Sequence, residues 1–310
     1  MPRITVVLPH SALPSFPATL RQFAASPLVG RVVVVHDGSA EIREPKCEGL
    51  RAASLTSGAT LSAIIKKVRT DHLLVVTQSH EFVLGPAALE RFVGVADQTG
   101  AGLVYADFHE VKNGQRSEHP LIDYQLGSIR DGFDLGAMLL FSMKAVRSAL
   151  KKLGAVARVE RAGMVDLRLK VSVAHEVFHI QEYLYTKVES DLRKSGEKLF
   201  DYVDPRNRAV QVEMEKVATQ HLKNIGAYLK PTFAKVPKET AAYPVEASVV
   251  IPVRNRERTI GDAVQSVLKQ RTSFPFNVIV VDNHSTDGTS RTLSELSAKD
   301  KRVVHHIPQR

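Results

Sequence analysis

Three polar residues, Asp282, Asn283 and Asp287, lie in a turn directly after the valine-rich segment 278–281. Acidic and amide side chains at the carboxyl end of a parallel strand lie where open α/β sheets bind nucleotides, and they can contact a base edge or a ribose. The pattern therefore indicates a nucleotide-binding turn. The competing interpretation is an ordinary turn rich in Asp, Ser and Gly, because these residues favour turns without any ligand.

A second group with chemical potential is His175-Glu176-Val177-Phe178-His179, which satisfies the HExxH motif. On a helix this spacing places two imidazoles one turn apart around zinc, with the glutamate as base and Glu189 or Glu197 as a third ligand. The flanking residues are β-branched and aromatic, however, and they predict a turn into a strand. Strand positions four apart are separated by about 13 Å, so a zinc hydrolase stays a minor alternative.

The elements that must position these residues alternate, over the first 100 residues, between β-branched apolar runs and segments with helical spacing. This alternation is typical of βα units around a mostly parallel sheet. The predicted strands and helices are 4–8, 31–35, 72–76 and 102–105, and 17–25, 59–68 and 86–96. The polar stretch 107–134 is predicted to be a long functional loop.

From Asp204-Pro205 onward the sequence predicts a long helix, because a capping carboxylate followed by proline is typical of a helix start. Apolar residues at helical spacing predict one buried face, formed by Val210, Met214, Val217, Leu222, Ile225 and Leu229. Three prolines between 231 and 244 then predict a linker. We therefore expect an α/β domain over 1–190, a helical linker over 191–243 and part of a second domain over 244–310.

An internal repeat relates the two ends of the chain. Thr5-Val6-Val7-Leu8-Pro9 recurs as Ser248-Val249-Val250-Ile251-Pro252, and each copy leads through a helical stretch into a valine-rich strand and a polar turn. In the first copy that turn is His36-Asp37-Gly38-Ser39. We expect two copies of one βαβ unit, of which the second is incomplete.

The second copy, SVVIPVRNRERTIGDAVQSVLKQ followed by VIVVDNHSTDGT, resembles the opening of family 2 glycosyltransferases. That opening is a strand, Pro-x-x-Asn, a helix and Asp-Asp/Asn-x-Ser-x-Asp. The resemblance implies an α/β, nucleotide-diphospho-sugar transferase-like (A-type glycosyltransferase) fold, with a nucleotide bound by Asp282, Asn283 and Asp287. The first copy is similar to the same family more loosely, over about 4–185, which implies a nucleotide site at Pro9, Asp37 and Ser39.

The first copy departs from the family at the metal motif. The family's Asp-x-Asp, which binds a divalent cation, should follow the predicted strand 72–76, and Ser79-His80-Glu81 occupies that place. The resemblance implies that His80 and Glu81 hold Mn or Mg. Manganese accepts imidazole more readily, whereas magnesium prefers oxygen ligands. A plain loop is the alternative.

A second departure concerns the general base. The family's Glu-Asp pair aligns with Gly163-Met164, which leaves Asp166 as the candidate that deprotonates the acceptor hydroxyl. An ordinary carboxylate in the first turn of a helix is the alternative for Asp166. Asp131 is the other catalytic candidate, and its neighbour Arg130 could clamp a diphosphate or form a salt bridge.

Composition narrows the class of protein. The chain has 310 residues, 44% of them apolar, which is enough for about two domains with sizeable cores. A single cysteine, Cys47, excludes disulfide scaffolds and Cys-rich zinc modules. Nucleic-acid binding is disfavoured because aromatic residues make up only 6% and tryptophan is absent.

The net charge of +9 favours phosphates or anionic lipid head groups as partners. No apolar stretch is long enough for a transmembrane helix or resembles a secretory signal, so we expect a cytoplasmic protein that contacts the inner membrane face. A partial sheet exposes apolar surface, so we also expect a homo-oligomer.

The resemblance implies an inverting, bacterial-type glycosyltransferase that moves a sugar from a nucleotide-sugar donor to a saccharide or lipid-linked acceptor in polysaccharide synthesis. The alternative is a non-catalytic module that binds a nucleotide-sugar or an acceptor within a larger glycosyltransferase.

Overall fold

The computed structural model describes residues 2–38, 42–130, 133–188, 208–235 and 243–309. The chain forms two compact units, Met1–Lys230 and Pro231–Arg310. The sequence-based boundaries lie at residues 190 and 243 instead, and a helix before residue 230 accounts for the difference, as described below.

Within the described ranges, the first unit is built on a nine-stranded sheet. Its strands are β1 (Ile4–Pro9), β2 (Val29–His36), β3 (Cys47–Arg51), β4 (His72–Val76), β5 (Glu81–Leu84), β6 (Leu103–Lys112), β7 (Gln115–His119), β8 (Met138–Ser142) and β9 (Val177–Val188). The strand order is β3-β2-β1-β4-β8-β6-β9-β5, with β7 paired to β6. The half formed by β3, β2, β1 and β4 is parallel, whereas β8 is antiparallel to both β4 and β6. The predicted α/β class is confirmed.

Helices cover both faces of this sheet. They are α1 (Phe16–Ala25), α2 (Gly58–Lys67), α3 (Ala88–Thr99), α4 (Met143–Leu153), α5 (Gly163–Ser172) and α6 (Arg208–Asn224). Val6 belongs to the apolar core that contains Phe23 of α1, and its neighbour Val7 belongs to the opposite core with Leu61 of α2. Strands buried on both faces read as continuous valine runs, which is why β1 and β2 were predictable.

The prediction of a long loop over 107–134 is wrong for its first half. Strand β6 continues to Lys112 and forms an antiparallel hairpin with β7. Asn113 and Gly114 make the turn with φ angles of 50° and 75°, and Asn-Gly is a strong hairpin signal because both positions tolerate positive φ. The segment looks polar because β7 is mostly exposed.

Helix α6 packs on the first unit and is not an isolated linker helix. The Glu213 carboxylate accepts hydrogen bonds from the backbone N–H groups of Glu160, Arg161 and Ala162, and Val217 is buried against Leu169. The helix ends at Asn224, earlier than predicted. Leu229, which was assigned to the buried face, is 88% exposed. The predicted helix start at Asp204-Pro205 lies outside the described residues.

The second unit contains a parallel three-stranded sheet in its described part. Its elements are β10 (Ala247–Val253), α7 (Glu257–Leu268), β11 (Phe276–Asp282), α8 (Thr289–Lys299) and β12 (Val303–His306). Its order β10-β11-β12 repeats the parallel order β1-β2-β3 of the first unit, in agreement with the repeated Pro9 and Pro252 strands. Among the described helices of either unit, none has the length and apolar character needed to cross a membrane.

Candidate functional site

A cavity of about 530 Å³ opens at the carboxyl ends of β1, β2 and β4. Pro9 ends β1, Asp37 follows β2, and residues 77–80 follow β4. Residues 52–56, which follow β3, form the remaining wall. The structure thus brings Pro9, Asp37 and His80 to one cavity, at the sheet edge where parallel α/β folds bind their ligands.

Two hydroxyl residues of this wall, Ser54 and Thr56, were missed by sequence analysis. Their side-chain oxygens are 2.8 Å apart, and the Thr56 backbone N–H donates to Ser54 Oγ at 3.1 Å. These bonds fix the wall and leave hydroxyl groups beside the cavity that can bond a ribose or a phosphate. They were missed because β3 contains Glu48, Gly49 and Arg51, and so carries little of the β-branched signal that marks a strand.

The turn after β2 is held by His36, whose Nδ1 accepts a hydrogen bond of 3.1 Å from the Gly38 backbone N–H. Gly38 has a φ of +119°, a conformation that side chains rarely adopt. Asp37 is exposed at the mouth of the cavity, and Ser39 lies outside the described residues.

The two residues expected to hold a divalent cation do not line the same cavity. His80 lines the cavity, whereas Glu81 begins β5 and is not among the lining residues. In the ranges that the structure describes, no three His, Cys, Asp or Glu side chains are grouped so that they could hold a metal ion. This donor set does not fit a divalent cation, since such ions are usually held by several oxygen ligands.

Asp166 does not lie at a position suited to a general base. Its side chain is 5% exposed, and Oδ2 lies 2.6 Å from Nζ of Lys170, one helical turn later. The same oxygen accepts a hydrogen bond of 2.8 Å from the Ala157 backbone N–H. Both contacts stabilise the start of α5. The other catalytic candidate, Asp131, lies outside the described residues, and Arg130 is exposed.

The position aligned with the missing glutamate has no room for a side chain. A Cβ built on Gly163 would lie 2.6 Å from the carbonyl oxygen of Thr56 and 2.6 Å from the backbone nitrogen of Gly58. The Gly163 N–H donates to that Thr56 oxygen at 2.9 Å. Helix α5 therefore packs its first turn directly on the wall of the cavity, and that packing requires glycine at residue 163.

A second cavity of about 450 Å³ shares Thr77 and Gln78 with the first. Asp134 is the carboxylate of its described lining, with a side chain that is 55% exposed. Asp134 Oδ2 lies 3.0 Å from Nε2 of His119, and Oδ1 accepts from the Gly136 N–H. Arg168 lies on the α5 side of the cavity. The two cavities form neighbouring compartments, joined at the residues that follow β4.

In the second unit, the hydrogen bonds of Asp282 hold the turn together. Asp282 is fully buried, its Oδ1 accepts from the Ser285 N–H at 2.9 Å, and its Oδ2 accepts from the Ser290 hydroxyl. Burial alone would raise the pKa of Asp282, but the hydrogen bonds from Ser285 and Ser290 lower it to about 2.

Asp287 also bonds to the backbone of its own unit. Its Oδ2 accepts from the Glu257 N–H at 3.2 Å and its Oδ1 from the Thr289 N–H at 3.0 Å. These bonds give a partner to a backbone N–H group in the first turn of α7 and of α8. Asn283 is the remaining member of the predicted set, and it is exposed. Of the three residues, Asn283 has the side chain best placed to meet a nucleotide.

The HExxH segment is not helical, as the sequence indicated. Val177 begins β9, so His175 precedes the strand and His179 lies in it. Both ring nitrogens of His179 face carboxylates, with Nε2 at 2.8 Å from Asp107 and Nδ1 at 2.7 Å from Asp123. The contact with Asp107 ties β9 to β6. The predicted third ligands, Glu189 and Glu197, lie outside the described residues. Because the motif is not on a helix, the zinc-hydrolase alternative loses its structural basis.

Comparison with known proteins finds a family match within the second unit and a fold likeness to solved structures. Residues 248–308 match the model of the family described as glycosyl transferase family 2, which covers most of the second unit. No curated protein sequence matches the chain.

Among solved structures, S. aureus TarS 1–349 in complex with UDP is 12% identical, with a TM-score of 0.51 over 72% of this chain and 66% of that chain. TarS 1–349 in complex with UDP-GlcNAc is 11% identical, with a TM-score of 0.48 over 72% of each chain. The chain thus spans 66% of the length of the first of these structures. The likeness to the UDP complex shows that the predicted A-type glycosyltransferase fold is present.

Proposed function

We propose that the chain is part of a glycosyltransferase and that its first unit binds the nucleotide of a nucleotide-sugar donor. One observation carries the proposal: a single cavity at the carboxyl ends of β1, β2 and β4 collects Pro9, Asp37, Ser54 and His80. The family match of residues 248–308 and the fold shared with TarS, which was crystallised with UDP, support it.

The proposed roles follow from the chemistry of the lining. Asp37 accepts hydrogen bonds from a base edge, and the hydroxyls of Ser54 and Thr56 face the ribose or the first phosphate. The second cavity, which begins at Thr77 and Gln78, receives the sugar and the acceptor. The reaction is a single displacement with inversion: the acceptor oxygen bonds to the anomeric carbon of the sugar while the bond to the nucleoside diphosphate breaks, and a carboxylate accepts the acceptor proton.

We extend the proposal to the acceptor and its location. A saccharide or lipid-linked acceptor is consistent with the net charge of +9, which favours contact with an anionic membrane face. Self-association and a cytoplasmic location remain predictions that follow from the sequence.

A second candidate function is favoured by the contact of Gly163 with Thr56. If the first unit has no general base, it is a non-catalytic nucleotide-sugar-binding module, and the transfer belongs to a domain that contains the second unit. Asp166 bonds to Lys170 and Ala157, in agreement with this candidate.

Thermal-shift titration of the full chain with UDP, GDP and dTDP, each with Mn, Mg or EDTA, tests nucleotide binding. A ligand that binds only the folded state raises its stability, so one nucleotide should raise the Tm, and Asp37→Asn should abolish that rise. Glu215→Gln removes one exposed negative charge from α6 and serves as the control. Absence of a shift with every nucleotide, or an equal shift in Asp37→Asn, would refute the proposed site.

Release of the free nucleotide from a nucleotide-sugar distinguishes the two candidate functions of the first unit. A catalytic first unit releases nucleotide in the presence of acceptor, and Asp37→Asn lowers that rate. A binding module gives the thermal shift but no release above the rate without protein.

A further inference from the structure

Arg168 in α5 is a buried cation without a partner among the described residues. The residue is 4% exposed and lines the second cavity. Its Nη1 atom is buried and has no hydrogen-bond partner in the described part of the chain. Buried charged groups in proteins are nearly always paired, because removing a charge from water is costly. The described part of the fold therefore leaves the charge of Arg168 without a counter-charge.

The surroundings of Arg168 offset only part of this cost. The guanidinium carbon lies 5.8 Å from the ring centre of Tyr124 and 6.0 Å from that of Phe133, which gives weak cation–π attraction. Two carboxylates lie near it in the sequence or in the cavity. Asp166 is bonded to Lys170, and Asp134 is bonded to His119 and Gly136. Burial lowers the pKa of Arg168, in keeping with an uncompensated charge.

A second unpartnered polar atom lies in the same cavity. The Oε1 atom of Gln78 is buried and has no hydrogen-bond partner among the described residues. Rotation of this amide by half a turn places its NH₂ group at the same point, where it would donate to an oxygen anion. Gln78 lines both cavities, so the cation and the amide lie along one route out of the nucleotide cavity.

We propose that Arg168, with Gln78, binds a phosphoryl group in the second cavity. A guanidinium presents a planar fork of donors that matches phosphate oxygens, and an apolar wall of aromatic rings keeps it dehydrated and oriented. The phosphoryl group has two sources: the diphosphate of the nucleotide-sugar, or a phosphate ester carried by the acceptor. The first source rests on the proposed function. In that case Arg168 supplies positive charge in a cleft where the described residues offer no cation site.

Isothermal titration calorimetry of the full chain in EDTA tests the proposal, with uridine, UDP, pyrophosphate and inorganic phosphate as ligands. Arg168→Met keeps the length of the side chain and removes its charge, and Arg168→Lys keeps the charge without the fork. Arg158→Met removes an exposed guanidinium from the same unit and serves as the control.

For the diphosphate source, we expect Arg168→Met to weaken UDP binding at least tenfold while uridine binding stays within twofold of wild type. For the acceptor source, UDP binding stays unchanged, and binding of pyrophosphate or phosphate falls at least tenfold. If wild type binds pyrophosphate but neither uridine nor UDP, the proposed nucleotide site fails while the phosphoryl site stands.

The Tm of the ligand-free protein distinguishes a binding role of Arg168 from a structural one. Removing an unpaired buried charge should raise the Tm of Arg168→Met above wild type, whereas a structural arginine would leave a destabilised variant. The proposal is overturned if wild type binds none of the phosphoryl ligands, or if Arg168→Met keeps every anion affinity within twofold, whatever its Tm.

Discussion

The backbone N–H of Gly163 donates to the carbonyl oxygen of Thr56 at 2.9 Å, and any Cβ at Gly163 would lie 2.6 Å from that oxygen. The start of α5 and the wall of the first cavity are therefore in direct backbone contact. The contact leaves no space for a side chain at residue 163.

Substitution of Gly163 should destabilise the first unit. Gly163→Ala introduces a Cβ only 2.6 Å from backbone atoms, which cannot move aside as a flexible side chain could. Overpacking of this kind lowers the free energy of unfolding by about 1 to 3 kcal/mol. Gly94→Ala in α3 is the matched control, because no atom lies within 4 Å of its Cβ, and it should stabilise by about 0.5 to 1 kcal/mol. Urea unfolding of both variants measures the difference, and equal midpoints would show that the contact is looser than described.

The pair Asp166 and Lys170 should behave as a buried ion pair. Asp166→Asn leaves the Lys170 ammonium, which is 7% exposed, without its counter-charge, and such a loss costs about 3 to 5 kcal/mol. The double variant Asp166→Leu/Lys170→Met should recover most of that stability, measured by urea unfolding. Loss of sugar transfer in Asp166→Asn, with the free energy of unfolding unchanged, would contradict this account and restore Asp166 as the base.

The second unit should lose stability in acid through Asp282. Its pKa is lowered from 3.8 to about 2 in the folded state, so its ionised form favours folding above pH 3.8. This contribution is lost as the pH falls from 3.8 towards about 2. Urea unfolding at pH 2, 3 and 5 measures this loss of stability, and hydrogen exchange of residues 276–282 measures it in β11. Asp282→Asn should be less stable than wild type at pH 5, and its free energy of unfolding should change less between pH 5 and pH 2. A variant whose stability is as pH-dependent as that of wild type would exclude Asp282 as the source.

Much of the fold could be predicted from the sequence, because strands buried on both faces produce the continuous apolar runs of β1, β2 and β4. Strand β3 was not predictable from its composition. Asn113-Gly114 is a hairpin signal, but the polar residues around it favoured the prediction of a loop. Asp166 and Lys170 are four residues apart, a spacing at which opposite charges pair on a helix, so their bond could have been inferred.

The parts of the site that depend on distant residues could not be predicted. Ser54 and Thr56 become wall residues only because an edge strand places them opposite the loop after β4. Arg168 looks like an ordinary helical arginine in the sequence. Its significance depends on the missing hydrogen-bond partner of its buried Nη1 atom among the described residues, which only tertiary packing decides.

The most direct test of the central claim is hydrogen–deuterium exchange of the full chain with and without the nucleotide that gives the largest thermal shift. Binding in the first unit should slow exchange in residues 52–56 and 77–80, which line its cavity. Asp37→Asn should remove that protection. Protection confined to residues 283–287 of the second unit, or no protection at a saturating nucleotide concentration, would contradict the assignment of the first cavity as a nucleotide site.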